Sequence, residues 1–270
     1  MGNSVVKIGF IGSGHMATAE IAGTLHAGAA ASDLYVTSHN AAHYEQVAQQ
    51  YGIQGVATND AVVQAADIVV LATPPATAKP ILNSLAGYWR AGQILVSVVG
   101  SATVAELVDA AQTPTLPIVR LLPNVNVATG SGMTAYAVSD SVGQADLTAV
   151  LAWQKGLGEM MRLAENLFGA FVGLAGSSPA FIFVAIDMMA RLGVQYGIPM
   201  TDARKIAAQA FKGSADQVLT TGANPWDLAD SVSSPGGSTV RGMVALQSSG
   251  FFAGLTDAVT ATIEKDSKKD

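Results

Sequence analysis

Apolar residues fall along the chain in short unbroken runs at 6 to 11, 34 to 37, 68 to 72, 94 to 99, 118 to 121 and 134 to 138. Between them lie longer stretches whose apolar positions recur at helical spacing, at 14 to 28, 41 to 51, 59 to 65, 76 to 87 and 103 to 111. This alternation predicts an α/β fold, a doubly wound parallel sheet with helices on both faces. Runs such as Ile68-Val-Val-Leu71 and Ile94-Leu-Val-Ser-Val-Val99 have no consistently polar face, as strands covered on both sides require. Leu147 to Leu157 reads as a further helix and Met160 to Leu163 as a last strand. Beyond Asn166 the pattern changes to helical segments near 177 to 197, 202 to 221, 237 to 249 and 253 to 266, with little strand signal. Two domains are therefore expected, residues 1–164 and an all-helical 165–270.

The first strand runs into Gly12-x-Gly14-x-x-Ala17 and then into a helix, which is the context that gives a glycine fingerprint meaning. Gly12 would allow the tight turn, Gly14 the close approach of a pyrophosphate, and Ala17 the packing of helix on sheet. The first domain thus reads as a Rossmann-type dinucleotide-binding unit, the alternative being a plain strand, turn and helix. In such folds a carboxylate at the end of the second strand selects NAD. Here that strand ends in Ser38-His39-Asn40, whose hydroxyl, imidazole and amide suit the 2′-phosphate of NADPH, the alternative being that they merely cap the next helix.

Composition narrows the picture. A net charge of −6 over 270 residues, with no basic stripe, argues against a nucleic-acid or anionic-membrane surface. The terminal Lys265, Lys268 and Lys269 read as a solvated tail. There are no cysteines, which excludes disulfides, thiolate catalysis and cysteine-ligated metal, and no signal-like start is evident, so a cytoplasmic location is expected. Only 13% of residues are charged and mean hydropathy is +0.36, which predicts apolar surface buried by oligomerisation. The most apolar segment, Pro179 to Ile198, is broken by Asp187, Arg191, Gly193 and Gly197 and reads as a buried or interface helix rather than a membrane span.

The chemistry is constrained by what the second domain lacks. All four histidines lie within the first 43 residues, and no cluster suits a metal. An alcohol dehydrogenase would need a positioned base. The helical half offers instead Asp230-Ser-Val-Ser-Ser-Pro-Gly-Gly-Ser-Thr239, a loop opening into a helix. Backbone N–H groups of Gly236, Gly237 and Ser238, with the hydroxyls of Ser233, Ser238 and Thr239, would suit a small carboxylate; an ordinary helix cap is the alternative. Gly176-Ser-Ser-Pro-Ala180 is a second such turn.

Taken in order, these pieces resemble the pyrroline-5-carboxylate reductase family. The likeness runs from about residue 7 to 262 and rests on Ile8-Gly-Phe-Ile-Gly-Ser-Gly-His-Met-Ala17, Asn59 before Asp67, and Leu71-Ala-Thr-Pro-Pro75. It continues through Arg120-Leu-Leu-Pro-Asn124 with Gly130-Ser-Gly-Met133, Gly176-Ser-Ser-Pro-Ala180, and the 230–239 block with Gly250-Phe251. The resemblance implies an N-terminal Rossmann domain and a helical domain that dimerises by interleaving, often with dimers assembled into a ring. It implies NADPH, or less often NADH, reducing L-1-pyrroline-5-carboxylate to L-proline. By position it assigns Ile11, Gly12, Ser13, Gly14, His15, Met16, Asn59, Ala72, Thr73, Pro74 and Pro75 to the cofactor. It assigns Ser238, Thr239 and the Gly236-Gly237 backbone to the substrate, with the Thr239 hydroxyl nearest the ring nitrogen as proton donor. The family usually has Val-Lys-Pro at Thr73-Pro74-Pro75 and Thr-Pro at Val125-Asn126, departures that bear on cofactor and substrate choice. The β-hydroxyacid dehydrogenases share the first glycine turn, but carry a lysine where this chain has Phe181-Ile-Phe183. A reductase of a related cyclic imine and a non-enzymatic NADPH sensor are the other readings.

Overall fold

A computed structural model of the protein describes residues 6–267, in two compact units, one reaching to Gly176 and the other spanning Ser177–Lys265. Lys268 and Lys269 lie outside the described residues, and Lys265 is an exposed residue of the last helix rather than part of a tail. The first unit begins with β1 (Ile8–Ile11), α1 (His15–His26), β2 (Leu34–Thr37), α2 (Ala41–Tyr51), β3 (Gln54–Gly55), α3 (Asn59–Ala65) and β4 (Ile68–Leu71). It continues with α4 (Pro75–Ser84), β5 (Ile94–Ser97), α5 (Val104–Ala111), β6 (Ile118–Leu122), β7 (Gly132–Val138), α6 (Gln144–Gln154), β8 (Gly158–Arg162) and α7 (Phe168–Phe171).

The strands form one sheet in the order β3-β2-β1-β4-β5-β6-β7-β8. Chain order reverses on either side of β1, which opens a crevice at the carboxyl ends of β1 and β4, where ligands of open α/β sheets bind. The expectation of a fully parallel sheet needs one correction: β7 runs antiparallel to β6. The link between them holds only a 3-10 turn at Val125–Thr129, with no crossover helix, so the chain returns in the opposite direction. Helix α6 then supplies the crossover that makes β8 parallel to β7.

The apolar strands are divided between two cores by their alternating side chains. Val69 and Leu71 of β4 meet Val62, Val63, Ala78, Leu82 and Leu107 of α3, α4 and α5. Ile68 and Val70 of the same strand belong with Ala17, Ile21, Val47 and Val150 on the opposite face. This is why β4 carries no polar position. The first unit extends past the composition change at 164, because Phe168 and Phe171 are buried with Leu122 and Ala135. Arg120 of β6 fixes this edge: it is buried, pairs with Glu165 at 2.5 Å, donates to the Gly100 carbonyl and lies over the Phe168 ring.

The second unit holds α8 (Ser178–Gln195), α9 (Met200–Thr221), α10 (Pro225–Ser231), α11 (Ser238–Ser248) and α12 (Phe251–Ser267). Small residues line the α8–α9 contact: Ala190, Ala203 and Ala207 are buried, and a Cβ added at Gly193 would lie 3.1 Å from the Ala203 Cβ. The large apolar side chains of the same helices, Phe183, Met188, Leu192 and Leu219 among them, are exposed in the protomer.

Candidate active site

Glycine does two different jobs at the end of β1. Gly12 has φ +117°, donates its N–H to the Thr37 carbonyl at 2.8 Å, and would place an added Cβ 2.2 Å from the Ala72 carbonyl oxygen. Its glycine is required by the fold. Gly14 is extended, and a Cβ there would meet nothing within 4 Å. The protein itself leaves room at Gly14, so the space suits a ligand lying against the backbone. Gly14 is also the N-cap of α1, with no side-chain cap and no acidic residue in the first turn, which leaves the helix N–H groups open to an anion.

A cleft of about 870 Å³ opens here. Its walls include Ile11, Gly12, Ser13 and Gly14 after β1, Ser38 and His39 after β2, Asn59 of α3, and Ala72, Thr73 and Pro74 after β4. Four residues expected at the cofactor, His15, Met16, Asn40 and Pro75, lie off this lining. The first two open α1 and Pro75 opens α4. Asn40 caps α2, its side-chain oxygen accepting from the Ala42 N–H at 3.1 Å, and Ser38 Oγ donates to the Asn40 carbonyl at 3.0 Å. The cleft also takes in His43 of α2, Asp60 of α3, Thr77 and Ile81 of α4, and Tyr88. No motif marks these residues, because the fold delivers them; Thr58, also on the lining, caps α3, its hydroxyl accepting from Ala61 N–H at 3.3 Å. Among the described residues, the lining holds no Lys or Arg.

Beneath the cradle, α1 carries Glu20, which is fully buried. Burial pushes its carboxyl up to about 7, an effect partly offset by the Gln154 amide, which donates to Glu20 Oε2 at 2.8 Å. The other carboxyl oxygen and Gln154 Oε1 are both buried without a partner.

In the second unit the glycine-serine loop leads into α11. Gly236 has φ +72°, Gly237 is the N-cap, and no side chain caps the helix. Ser238 and Thr239 are exposed at its first turn. Ser233 is committed elsewhere, its hydroxyl donating to the Ala229 carbonyl at 2.8 Å. On α8, hydrogen bonds from Arg191 and then Arg204 hold the exposed Asp187 carboxyl below the usual range. No group of three or more His, Cys, Asp or Glu residues is placed to hold a metal among the described residues.

Residues 165–269 match a family model described as pyrroline-5-carboxylate reductase dimerisation, and residues 7–101 one described as NADP oxidoreductase, coenzyme F420-dependent. The pyrroline-5-carboxylate reductase of Escherichia coli (strain K12) is 34% identical over 263 residues, 97% of either chain. The chain belongs to the pyrroline-5-carboxylate reductase family. A solved pyrroline-5-carboxylate reductase from Streptococcus pyogenes superimposes with a TM-score of 0.83 at 28% identity, over 97% of this chain and 98% of that one. The pyrroline carboxylate reductase of Plasmodium falciparum, solved with NADP bound, has the same fold, with a TM-score of 0.84 at 24% identity over 98% of each chain. Against the pyrroline-5-carboxylate reductase family, the sequence motifs now divide into two kinds. The turns at Gly12, Ala72 and Asn59 border the cleft, whereas Arg120 and Asn124 bond within the first unit, Asn124 Nδ2 donating to the Ala175 carbonyl at 2.9 Å.

Proposed function

We propose that this protein reduces L-1-pyrroline-5-carboxylate to L-proline with NADPH, the last step of proline synthesis. The observation that carries the reading is the open Gly14 cradle above the cleft, in a chain that aligns end to end with named reductases of this substrate. Bound at the cleft, NADPH supplies a hydride. The N–H groups at the start of α1 hold its diphosphate, while Ile11, Ser13, Asn59 and the Ala72 to Pro74 turn border the rest. With no Lys or Arg on the lining among the described residues, the charge of the nucleotide is left to backbone dipoles and histidines.

The Gly236-Gly237 backbone and the exposed first turn of α11 hold the substrate carboxylate, with Ser238 as a further donor. Thr239 delivers a proton to the ring nitrogen as hydride reaches the adjacent carbon, so the C=N bond becomes CH–NH. An imine nitrogen is basic enough for a hydroxyl or water to suffice, which is why a helical half without histidine can serve this reaction and would not serve an alcohol. Orientation does most of the work.

The apolar faces of α8 and α9, together with the family's dimerisation region, support a homodimer at least, with a ring of dimers as its higher form. The helical stretch Glu165–Gln195 is long and apolar enough to cross a bilayer, yet its Asp187 and Arg191 pair with each other at 2.6 Å, which suits an interface helix in a cytoplasmic enzyme. The deciding assay is NADPH oxidation with pyrroline-5-carboxylate, its six-membered homologue, and NADH in parallel. Rapid oxidation with the five-membered imine is expected. NADPH binding without oxidation by it, or preference for the larger ring, would overturn the reading.

A further inference from the structure

The cleft must accept a nucleotide carrying several negative charges, and among the described residues its lining contains no Lys or Arg. At the end of β2, two of the three side chains that would suit a 2′-phosphate are set aside. Ser38 donates its hydroxyl to the Asn40 carbonyl, and Asn40, whose side-chain oxygen caps α2, lies outside the lining. His39 and His43 remain. Both border the cleft, both are exposed, one just before α2 and one in its first turn, and α2 has no acidic residue in that turn. The other titratable groups on the lining are the Asp60 carboxyl of α3 and the Tyr88 phenol.

We infer that His43, acting with His39, is the specificity-determining residue that makes this enzyme choose NADPH over NADH, the two imidazoles gripping the 2′-phosphate. The inference rests on the nucleotide cleft proposed above and extends it to a residue outside the glycine, Asn59 and proline turns. Imidazole is the side chain that exchanges a proton near neutral pH. As imidazolium it forms a charge-assisted hydrogen bond to phosphate, about twice as strong as a neutral one. Asp60 opposes the grip, since a carboxylate on the same lining repels the added phosphate and accepts from ribose hydroxyls. Discrimination is then a balance between two histidines and one carboxylate.

The test is equilibrium binding, by fluorescence titration with NADPH and NADH, of the full-length wild type, His43→Gln, His39→Gln and Asp60→Asn. Binding is read without turnover, so the result stands whatever imine the enzyme reduces. The ratio of the NADH to the NADPH dissociation constant is expected to fall about tenfold in His43→Gln, by the loss of one charge-assisted bond, and severalfold in His39→Gln. It is expected to rise in Asp60→Asn. Equal weakening of both nucleotides in His43→Gln, an unchanged ratio, or a wild type that binds NADH as tightly as NADPH would each overturn the inference.

Discussion

Gly12 and Gly14, two residues apart, make different demands, and substitution separates them. Alanine at position 12 meets both a positive φ and a carbonyl oxygen at 2.2 Å, so Gly12→Ala is expected to destabilise the free protein by about 1–3 kcal/mol. Alanine at position 14 meets no protein atom within 4 Å, so the melting temperature of free Gly14→Ala should stay within a few degrees of wild type. Its NADPH dissociation constant, read by fluorescence titration, should nonetheless rise more than tenfold, because a methyl group occupies the diphosphate's approach. A Gly14→Ala protein that binds NADPH normally would remove the cradle from the site. Thr239 calls for a different measurement, since its proposed part is in the proton transfer. Thr239→Ala is expected to lower kcat about 10- to 100-fold, with serine restoring most of it. At this scale the sequence was legible wherever backbone geometry dictates residue type, as at Gly12. It was less legible where short polar side chains find partners a few residues away: the Ser38 and Ser233 hydroxyls donate to nearby backbone carbonyls, and the Asn40 side-chain oxygen accepts at the cap of α2.

Helix α1 links the cradle to the body of the first unit, and its contact with α6 has an unusual polar centre. Glu20 and Gln154 share one hydrogen bond of 2.8 Å, while the second oxygen of each is buried and unpartnered. A proton on Glu20 would let its carboxyl donate to Gln154 Oε1, completing a two-bond acid-amide pair. Its carboxyl is raised from 4.5 to about 7, so between those values the folded state binds more proton than the unfolded state. Stability from this group is therefore fully present below about pH 4.5, declines through the window, and is lost above about pH 7, a total of about 3 kcal/mol. Glu20→Gln keeps the shape and the donor without the titration. Urea melts should find the variant more stable than wild type by up to this amount at pH 8, with the gap closing towards pH 5; a gap that does not change with pH would show that Glu20 is not the titrating group. Elements themselves were legible from periodicity, because strands buried on both faces leave unbroken apolar runs. The direction of β7 was not, since it depends on a short link, 123 to 131, rather than on the strand's own residues. Two-residue β3 escaped for a related reason: Gln54 and Gly55 are strand only through their pairing with β2.

For the molecule as a whole, the second unit is the part whose stability must come from elsewhere. Its α8–α9 contact buries alanines, while Phe183, Met188, Leu192 and Leu219 stand exposed, Leu219 at 80%. Covering a large apolar side chain is worth about 1.5–3 kcal/mol, and association itself costs roughly 4–15 kcal/mol. Four such side chains from each of two copies are worth about 12–24 kcal/mol, which meets that cost over most of its range. The high apolar content of the sequence anticipated this surface, but only the fold shows that it is concentrated in the helical unit. Two consequences follow for a dimer. Its melting temperature should rise with protein concentration, because the folded helices and the association are linked by mass action. Replacing Met188 and Leu192 by glutamate should yield monomers on size-exclusion chromatography with light scattering, and imine reduction should be lost. NADPH binding should survive in these variants, since every residue lining the cleft belongs to the first unit. That combination distinguishes a broken interface from a broken fold. Monomeric wild-type protein with full activity would show that the exposed helices meet something other than a second copy.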